Sequence, residues 1–221
     1  MSDRTDVKLA DVFSSGIKEY VKRYGPLPAQ QWKVVNNLNC HSPALGTRLY
    51  RCDHCGDRVS YYNSCRDRHC PSCQSIARAQ WVENRCNELL PVGYFHVVFT
   101  LPAELNPVVL RNKEKLYKLF FKAVSRTLLT LGEDERWHGG TIGFIAILHT
   151  WGQNLLDHPH IHCIIPGGGI RADGRKWKAF RGNYIFPVKV MSILFRRLFL
   201  EFLQDSFSKD ELIFSGKIHY I

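Results

Sequence analysis

The chain lacks any apolar run long enough to cross a membrane, and its N-terminus lacks the features of a secretory signal. The longest apolar stretch, 93–101, falls far short of the roughly 18 residues that a membrane span requires. Residues 1–11 are interspersed with charged side chains and have no apolar centre. Internal repeats and low-complexity tracts are also missing. These absences predict a cytoplasmic protein in solution with no membrane partner.

The composition is that of a folded, basic protein. The 221 residues are 45% hydrophobic and 23% charged, which excludes a wholly disordered or collagen-like chain and allows one to two domains. Thirty Lys and Arg residues stand against twenty Asp and Glu residues, for a formal net charge of +10. A polyanion is therefore a candidate partner.

Most of the excess positive charge lies in segment 171–197, which contains Asp173 as its one acidic residue. Trp177, Phe180 and Tyr184 are interleaved with the basic side chains, as expected for phosphate contacts beside surfaces on which bases stack. The alternative is a solvated basic face with core aromatic residues. We call the following residues the basic set: Arg171, Arg175, Lys176, Lys178, Arg181, Lys189, Arg196 and Arg197.

Cysteines are absent from most of the chain, because seven of the eight lie between Cys40 and Cys86. Cys52 and Cys55 form one Cys-x-x-Cys pair, and Cys70 and Cys73 form another after 14 intervening residues. This spacing is typical of two knuckles that hold one zinc ion in a tetrahedron of thiolates. It predicts a structural Zn²⁺ site at these four residues.

A second zinc ion is a further hypothesis. Cys40, His41, Cys65 and His69 alternate along the chain with the two pairs, as in a cross-braced module with two zinc ions. The alternative is that Cys40 and Cys65 are small buried side chains and that His69 lies on the surface.

Hydrophobic periodicity divides the chain into two parts. Residues 1–90 are predicted to be a small helical unit stapled by metal, with too little apolar content between 40 and 73 to fold by burial alone. Residues 91–221 are predicted to contain strands over 93–101, 141–150 and 158–165, with helices over 102–131 and 189–207. Short turns between adjacent strands favour an antiparallel sheet backed by helices, hence an α+β fold.

Two histidines on the third predicted strand are the strongest candidates for a catalytic type of metal site. Alternate residues of a strand face the same side, so His160 and His162 project together. His149 on the preceding strand is the first candidate for a third ligand, and Asp157 and His158 are the others. The alternative is a pair of exposed histidines on an edge strand.

Several of these motifs together resemble the transposases of the family named after insertion sequence 91, from Leu9 onward. The motifs are the run from Asn63 to Gln74, with its Cys-Arg-Asp-Arg-His-Cys-Pro-Ser-Cys core, then His149-Thr-Trp-Gly-Gln-Asn-Leu and His158-Pro-His-Ile-His162. That family belongs to the HUH single-strand nucleases, named for two histidines around a hydrophobic residue.

The resemblance implies a zinc-binding, DNA-recognition domain over 1–90 and a nuclease-like transposase domain over 91–221. It implies that His160 and His162 hold Mg²⁺ or Mn²⁺ against a scissile phosphate. A tyrosine hydroxyl would attack that phosphate and form a protein–DNA phosphodiester during rolling-circle transposition. The partner would be single-stranded DNA at the ends of a mobile element.

The nucleophilic tyrosines of the family lie on a helix after the histidine pair, one turn apart. Only Tyr184 and Tyr220 follow His162 in this chain, and neither belongs to a Tyr-x-x-x-Tyr pattern. The sequence therefore predicts a fragment that binds metal and single-stranded DNA without the attacking group. The alternatives are a non-enzymatic, zinc-dependent DNA-binding module and a metallohydrolase that acts on small esters.

Overall fold

The computed structural model divides the chain into two compact units, which we call unit 1 (1–89) and unit 2 (90–221). Both helices and antiparallel sheets are present, which confirms the α+β expectation. None of the helices in the described part is long and apolar enough to cross a membrane. The residues that the structure describes are 9–67, 70–154, 156–171, 173–182 and 184–214.

The described part of unit 1 contains α-helices and one β-hairpin. Among the side chains that the structure describes in this unit, that of Cys70 is the one that is buried. Unit 1 therefore has no apolar core of the usual kind, and its fold needs another source of stability. Its elements are α1 (Leu9–Tyr24), α2 (Ala29–Asn37), β1 (Thr47–Arg51), β2 (Arg58–Tyr62) and α3 (Pro71–Asn87).

Unit 2 contains two antiparallel three-stranded sheets, with strand orders β3-β6-β5 and β4-β7-β8. The predicted strand over 141–150 is divided between two of these strands, which belong to different sheets. The elements are β3 (Tyr94–Thr100), α4 (Asn106–Arg111), α5 (Lys113–Glu133), β4 (Gly140–Thr141), β5 (Ile145–Trp151), β6 (Asp157–Pro166), β7 (Gly168–Arg171), β8 (Trp177–Ala179) and α6 (Val188–Ser208).

The central strand β6 separates the core from the candidate site. Ile161, Cys163 and Ile165 have no solvent exposure and join one apolar cluster with residues of α5 and α6. His160 and His162 alternate with them and therefore lie on the opposite, more exposed face. The period of two in this strand is what keeps the imidazoles out of the core.

The single helix predicted over 102–131 is interrupted at Asn112, which separates α4 from α5. The Asn112 side chain is buried, and its amide nitrogen donates to the carbonyls of Val108 and Ile213 at 2.9 Å each. Its amide oxygen accepts from the backbone N–H of Ile213 at 2.7 Å. Asn112 thus fixes the segment after α6 to the junction of α4 and α5, a contact that helical periodicity does not predict.

Replacing Asn112 with Ala should destabilise unit 2 by about 2 kcal/mol, because two carbonyls and one N–H lose a buried partner. Thermal unfolding followed by circular dichroism measures the change as a lower Tm. Lys118→Ala is the matched control, since it removes an exposed ion pair with Glu114 and should have almost no effect. Equal melting of N112A and the parent chain would contradict the assignment.

Candidate metal centres and nucleic-acid surface

Four thiols converge in unit 1: those of Cys40, Cys65, Cys70 and Cys73. Their sulfur atoms all lie within 4.8 Å of one another. The Sγ atoms of Cys40 and Cys73 are 3.3 Å apart, and those of Cys65 and Cys73 are 3.7 Å apart. Such spacing is too long for disulfides and is typical of ligands placed around one ion.

Local backbone geometry aims these sulfurs inward. Cys70 is the N-cap of α3, and its sulfur accepts a hydrogen bond from the Cys73 N–H at 3.4 Å. The Cys40 sulfur accepts from the Cys65 N–H at 3.1 Å, and the Cys65 sulfur accepts from the Asp67 N–H at 3.4 Å. Backbone N–H donors and the positive end of a helix both favour the thiolate form.

The proton affinities of the four thiols favour a bound cation. Burial raises the pKa of Cys40 to about 12 and also raises the pKa of Cys65. Burial would raise the pKa of Cys73 too, but hydrogen bonds from Cys40 and other partners lower it below its ordinary value. Without a cation the cluster therefore cannot be fully ionised at neutral pH, whereas a coordinated Zn²⁺ deprotonates its thiol ligands. The donor set fits a structural zinc ion.

The four predicted zinc ligands Cys52, Cys55, Cys70 and Cys73 do not all converge in the structure. The structure groups Cys70 and Cys73 with Cys40 and Cys65, and it places Cys52 and Cys55 at the tip of the β1–β2 hairpin. The reason is geometric, because Cys40 and Cys65 flank the base of that hairpin. Five strand residues separate base from tip by about 16 Å, too far for one ion to bridge.

The Cys52–Cys55 pair is exposed but has the backbone of a knuckle. N–H groups of Cys55 and His54 lower the pKa of the Cys52 thiol, and Gly56 adopts a φ of +77° that closes the turn. His41, another candidate ligand, lies with its Nδ1 3.2 Å from the Cys40 sulfur, beside the thiol cluster. His69 lies outside the described residues. The ligands predicted for a second zinc ion are thus divided, because Cys40 and Cys65 belong to the four-thiol cluster, and a second zinc ion stays a hypothesis.

In unit 2, the imidazoles of His149, His160 and His162 form a second convergent group, which we call the triad. One ring nitrogen from each lies within 4.8 Å of the others. The β5–β6 register pairs His149 directly with His160. His149, the first candidate for a third ligand, therefore lies beside His160 and His162. Asp157 and His158, the other candidates, do not belong to this group. Three imidazoles suit a divalent first-row metal ion.

Two features prepare the triad for a cation. The Nδ1–H of His160 donates to the backbone carbonyl of His158 at 2.6 Å, which leaves Nε2 without a proton and available as a ligand. Burial, followed by the neighbouring imidazoles, lowers the pKa of His162 and keeps its ring neutral at pH 7. The residues present therefore fit a divalent ion.

Sequence reasoning missed His96 on β3, whose Nε2 lies 2.7 Å from Nδ1 of His162. The period-two pattern of 93–101 places His96 on one face of its strand, but it does not say which strand lies alongside. The β3–β6 pairing supplies that information.

The basic set lies on β7, in the turn after it, on β8, in the loop that follows β8 (Arg181) and along α6. All eight side chains are exposed except that of Lys178, which is half-buried, and within the described residues none forms an ion pair. Trp177 and Tyr184 are exposed as a stacking surface requires, whereas Phe180 packs on Phe95, His138 and Phe186. The alternative of a core aromatic residue is therefore correct for Phe180 alone.

Tyr184 and Tyr220 are the two candidate nucleophiles. Tyr184 is 61% exposed in the loop between β8 and α6, where it lines the same 450 Å³ groove as His96. Tyr220 lies outside the described residues. Among the described tyrosines, none is hydrogen-bonded to the triad.

Two protein families match successive stretches of the chain. The transposase zinc-binding domain of the insertion-sequence-91 type matches residues 12–101, and the family described as "Putative transposase" matches residues 143–219. The chain is thus a transposase-type protein with a zinc-binding unit ahead of an α+β unit. It belongs to the transposase family named after insertion sequence 91, which confirms the resemblance seen in the motifs.

Two relatives show how much of such proteins the chain represents. It is 48% identical to "Putative transposase y4qJ" of Sinorhizobium fredii over 96% of this chain and 53% of the relative. It is 35% identical to the transposase for insertion sequence element IS801 of Pseudomonas savastanoi pv. phaseolicola, over 66% of this chain and 35% of the relative. The chain therefore spans about half the length, or less, of these relatives.

Solved structures of the conjugative relaxase TrwC also resemble the chain. A copper-bound complex with oriT DNA is 20% identical, with a TM-score of 0.40 over 50% of this chain and 42% of the relaxase chain. The metal-free complex gives the same identity, coverage and TM-score.

Proposed function

We propose that this chain binds single-stranded DNA at the ends of a mobile element and holds a divalent metal ion at the triad beside that strand. The observation that carries the proposal is the convergence of three imidazoles on the exposed face of a sheet whose other face forms the core. Membership of the transposase family supports DNA ends as the ligand. Mg²⁺ or Mn²⁺ is the proposed ion, with zinc confined to the thiol cluster.

In this proposal each part of the chain has a separate task. His149, His160 and His162 hold the ion, which supplies polarisation of a phosphate oxygen and stabilises charge that develops on the phosphorus. The basic set contacts the phosphates of the strand, and Trp177 and Tyr184 offer exposed rings to its bases. Unit 1, stapled by zinc, contributes to recognition of the element's ends.

Strand cleavage is proposed for the longer relatives rather than for this chain alone. A tyrosine hydroxyl would attack the phosphorus and form a phosphotyrosine, which releases a 3′-hydroxyl and conserves the energy of the broken bond for strand transfer. Attack needs the hydroxyl held against the target. The exposed position of Tyr184 in a loop does not supply that restraint.

The experiment that tests the proposal incubates the full chain with Mn²⁺ and a fluorescent single-stranded oligonucleotide from the element's ends. Fluorescence anisotropy measures binding, and intact-mass spectrometry looks for a covalent adduct. We expect binding without an adduct. An adduct that disappears in Tyr184→Phe or Tyr220→Phe would show instead that the chain is a complete nuclease, and the absence of binding would refute the proposal.

Replacing Arg175, Lys176 and Lys178 together with Gln should weaken binding and flatten its salt dependence. The slope of log K against log salt is negative, and each lost phosphate contact makes it less steep by about 0.7. The slope of the triple variant should therefore be less steep than that of the parent by about 2. Lys115, Lys118 and Lys209 form the matched control, because each is paired with a carboxylate. An affinity that does not depend on salt would contradict the nucleic-acid function altogether.

The second candidate function is a DNA-binding module without a catalytic metal site. The thiol cluster and the basic set alone would suffice for it. Replacing His160 and His162 with Ala separates the two candidates, because the module predicts unchanged Mn²⁺ uptake and the first proposal predicts its loss.

A further inference from the structure

A fourth histidine contacts the triad from the far side of β6. His96 on β3 lies across the strand from Ile164, next to the Val98–His162 pair, and its side chain lies on the same sheet face as that of His162. Its Nε2 is 2.7 Å from Nδ1 of His162. Within the described residues, this is the one hydrogen bond of the His96 ring.

The two rings meet edge to edge in a common plane. Their planes differ by 8°, and their centres are 5.0 Å apart. That separation matches the 2.7 Å between the nitrogens plus one ring radius on either side, so the rings are coplanar and not stacked. The lone pair of one nitrogen therefore faces the N–H of the other, the best geometry for a hydrogen bond.

Only one proton can lie between the two nitrogens. If His162 is the donor, its proton is on Nδ1, its Nε2 has a free lone pair for a metal ion, and His96 carries its own proton on Nδ1. If neutral His96 were the donor, the proton of His162 would lie on Nε2 and block that nitrogen. Which nitrogen carries the proton thus decides whether His162 can use Nε2 as a ligand.

We propose that His96 is a positioning residue that accepts the Nδ1–H of His162 and so holds that ring in the tautomer and orientation that bind metal. It does for His162 what the His158 carbonyl does for His160. The inference rests on the proposed metal site at the triad. His96 is not itself a fourth ligand, since its Nε2 faces His162 and is not among the converging nitrogens.

The test compares Mn²⁺ affinity of the full chain with that of His96→Phe and His96→Gln, by isothermal titration calorimetry. His96→Phe keeps a planar ring but removes the acceptor, and we expect Mn²⁺ to bind about tenfold more weakly, the lower end of the range for such outer partners because His96 is exposed. His96→Gln offers an amide oxygen near the position of Nε2 and should restore most of the affinity. Ile164→Val is the matched control, because Ile164 lies opposite His96 and outside the triad, and it should bind Mn²⁺ as the parent does.

The second readout is the tautomer of His162, which can be measured in the parent chain itself. Long-range ¹H–¹⁵N spectra of the metal-free parent chain above pH 7.5 report which nitrogen of each imidazole is protonated. We expect the proton of His162 on Nδ1 in the parent and in His96→Gln, and a mixture of tautomers in His96→Phe. A proton on Nε2 of His162 in the parent would overturn the inference, even if His96→Phe failed to fold.

His149→Ala shows whether a negative result concerns only the role of His96 or the metal site at the triad itself. If His149→Ala binds Mn²⁺ as tightly as the parent, the triad is not the site and both proposals fall. If His149→Ala loses Mn²⁺ while His96→Phe binds it like the parent, only the role of His96 is wrong.

Discussion

Replacing Cys73 with Ser is expected to unfold unit 1 while unit 2 remains folded. In the described part of unit 1 no side chain except that of Cys70 is buried, so the zinc ion has to supply what burial does not. Structural zinc in small domains contributes an apparent ~10–16 kcal/mol of binding free energy at pH 7, far more than such a unit can lose and stay folded. No other single change in the chain should have a larger effect.

Metal analysis and limited proteolysis of the full chain measure this effect. Cys73→Ser should lose the zinc of the thiol cluster and become cleavable throughout 9–89, with 90–214 still protected. Cys86→Ser is the matched control, because Cys86 lies on the same helix but is exposed and outside the cluster. Full zinc content in Cys73→Ser would refute the cluster as the zinc site.

Zinc analysis also tests whether Cys52 and Cys55, at the tip of the β1–β2 hairpin, hold a second zinc ion. If one zinc ion is bound, Cys52→Ser with Cys55→Ser leaves the zinc content at one per chain. If the knuckle holds a second ion, the content falls from two to one.

Replacing His160 and His162 with Ala should abolish measurable Mn²⁺ binding without unfolding unit 2. The substitutions remove two imidazoles from the more exposed face of β6. The opposite face, formed by Ile161, Cys163 and Ile165, packs in the core and is unchanged. An ion present at 100 times its Kd stabilises the folded chain by about 2.7 kcal/mol. That metal-dependent stabilisation should disappear in the double variant.

Thermal melts with and without Mn²⁺ measure the stabilisation of the folded chain by the ion. The parent should melt at a higher temperature with Mn²⁺, the double variant at the same temperature with or without it, and both at similar temperatures in chelator. Ile164→Val, on the same strand but outside the triad, should behave as the parent does. Retention of the Mn²⁺ shift by the double variant would favour the module without a catalytic metal site.

Local patterns in the sequence determined much of this protein. Alternation along 158–165 was enough to place His160 and His162 on one face, because side-chain direction in a strand depends only on the parity of the position. The pairing of Cys70 with Cys73 follows from one turn of helix in the same way. The charge of segment 171–197 likewise needed no tertiary information.

Only the tertiary structure decided which distant residues complete each site. Seven cysteines in 47 residues allow many sets of four. The structure brings Cys40 and Cys65 to Cys70 and Cys73, whereas Cys52 and Cys55 lie at the other end of the β1–β2 hairpin. The partner of His162 is 66 residues away and depends on β3 pairing with β6.

The position of His149 likewise depends partly on the sequence and partly on the tertiary structure. The sequence placed it near the pair, but its register with His160 holds only because the β5–β6 ladder is irregular between His149 and Trp151. Asn112 and Ile213, 101 residues apart, are joined by hydrogen bonds that no local pattern encodes. Periodicity reports the side to which a residue points, whereas strand pairing and burial determine what it meets there.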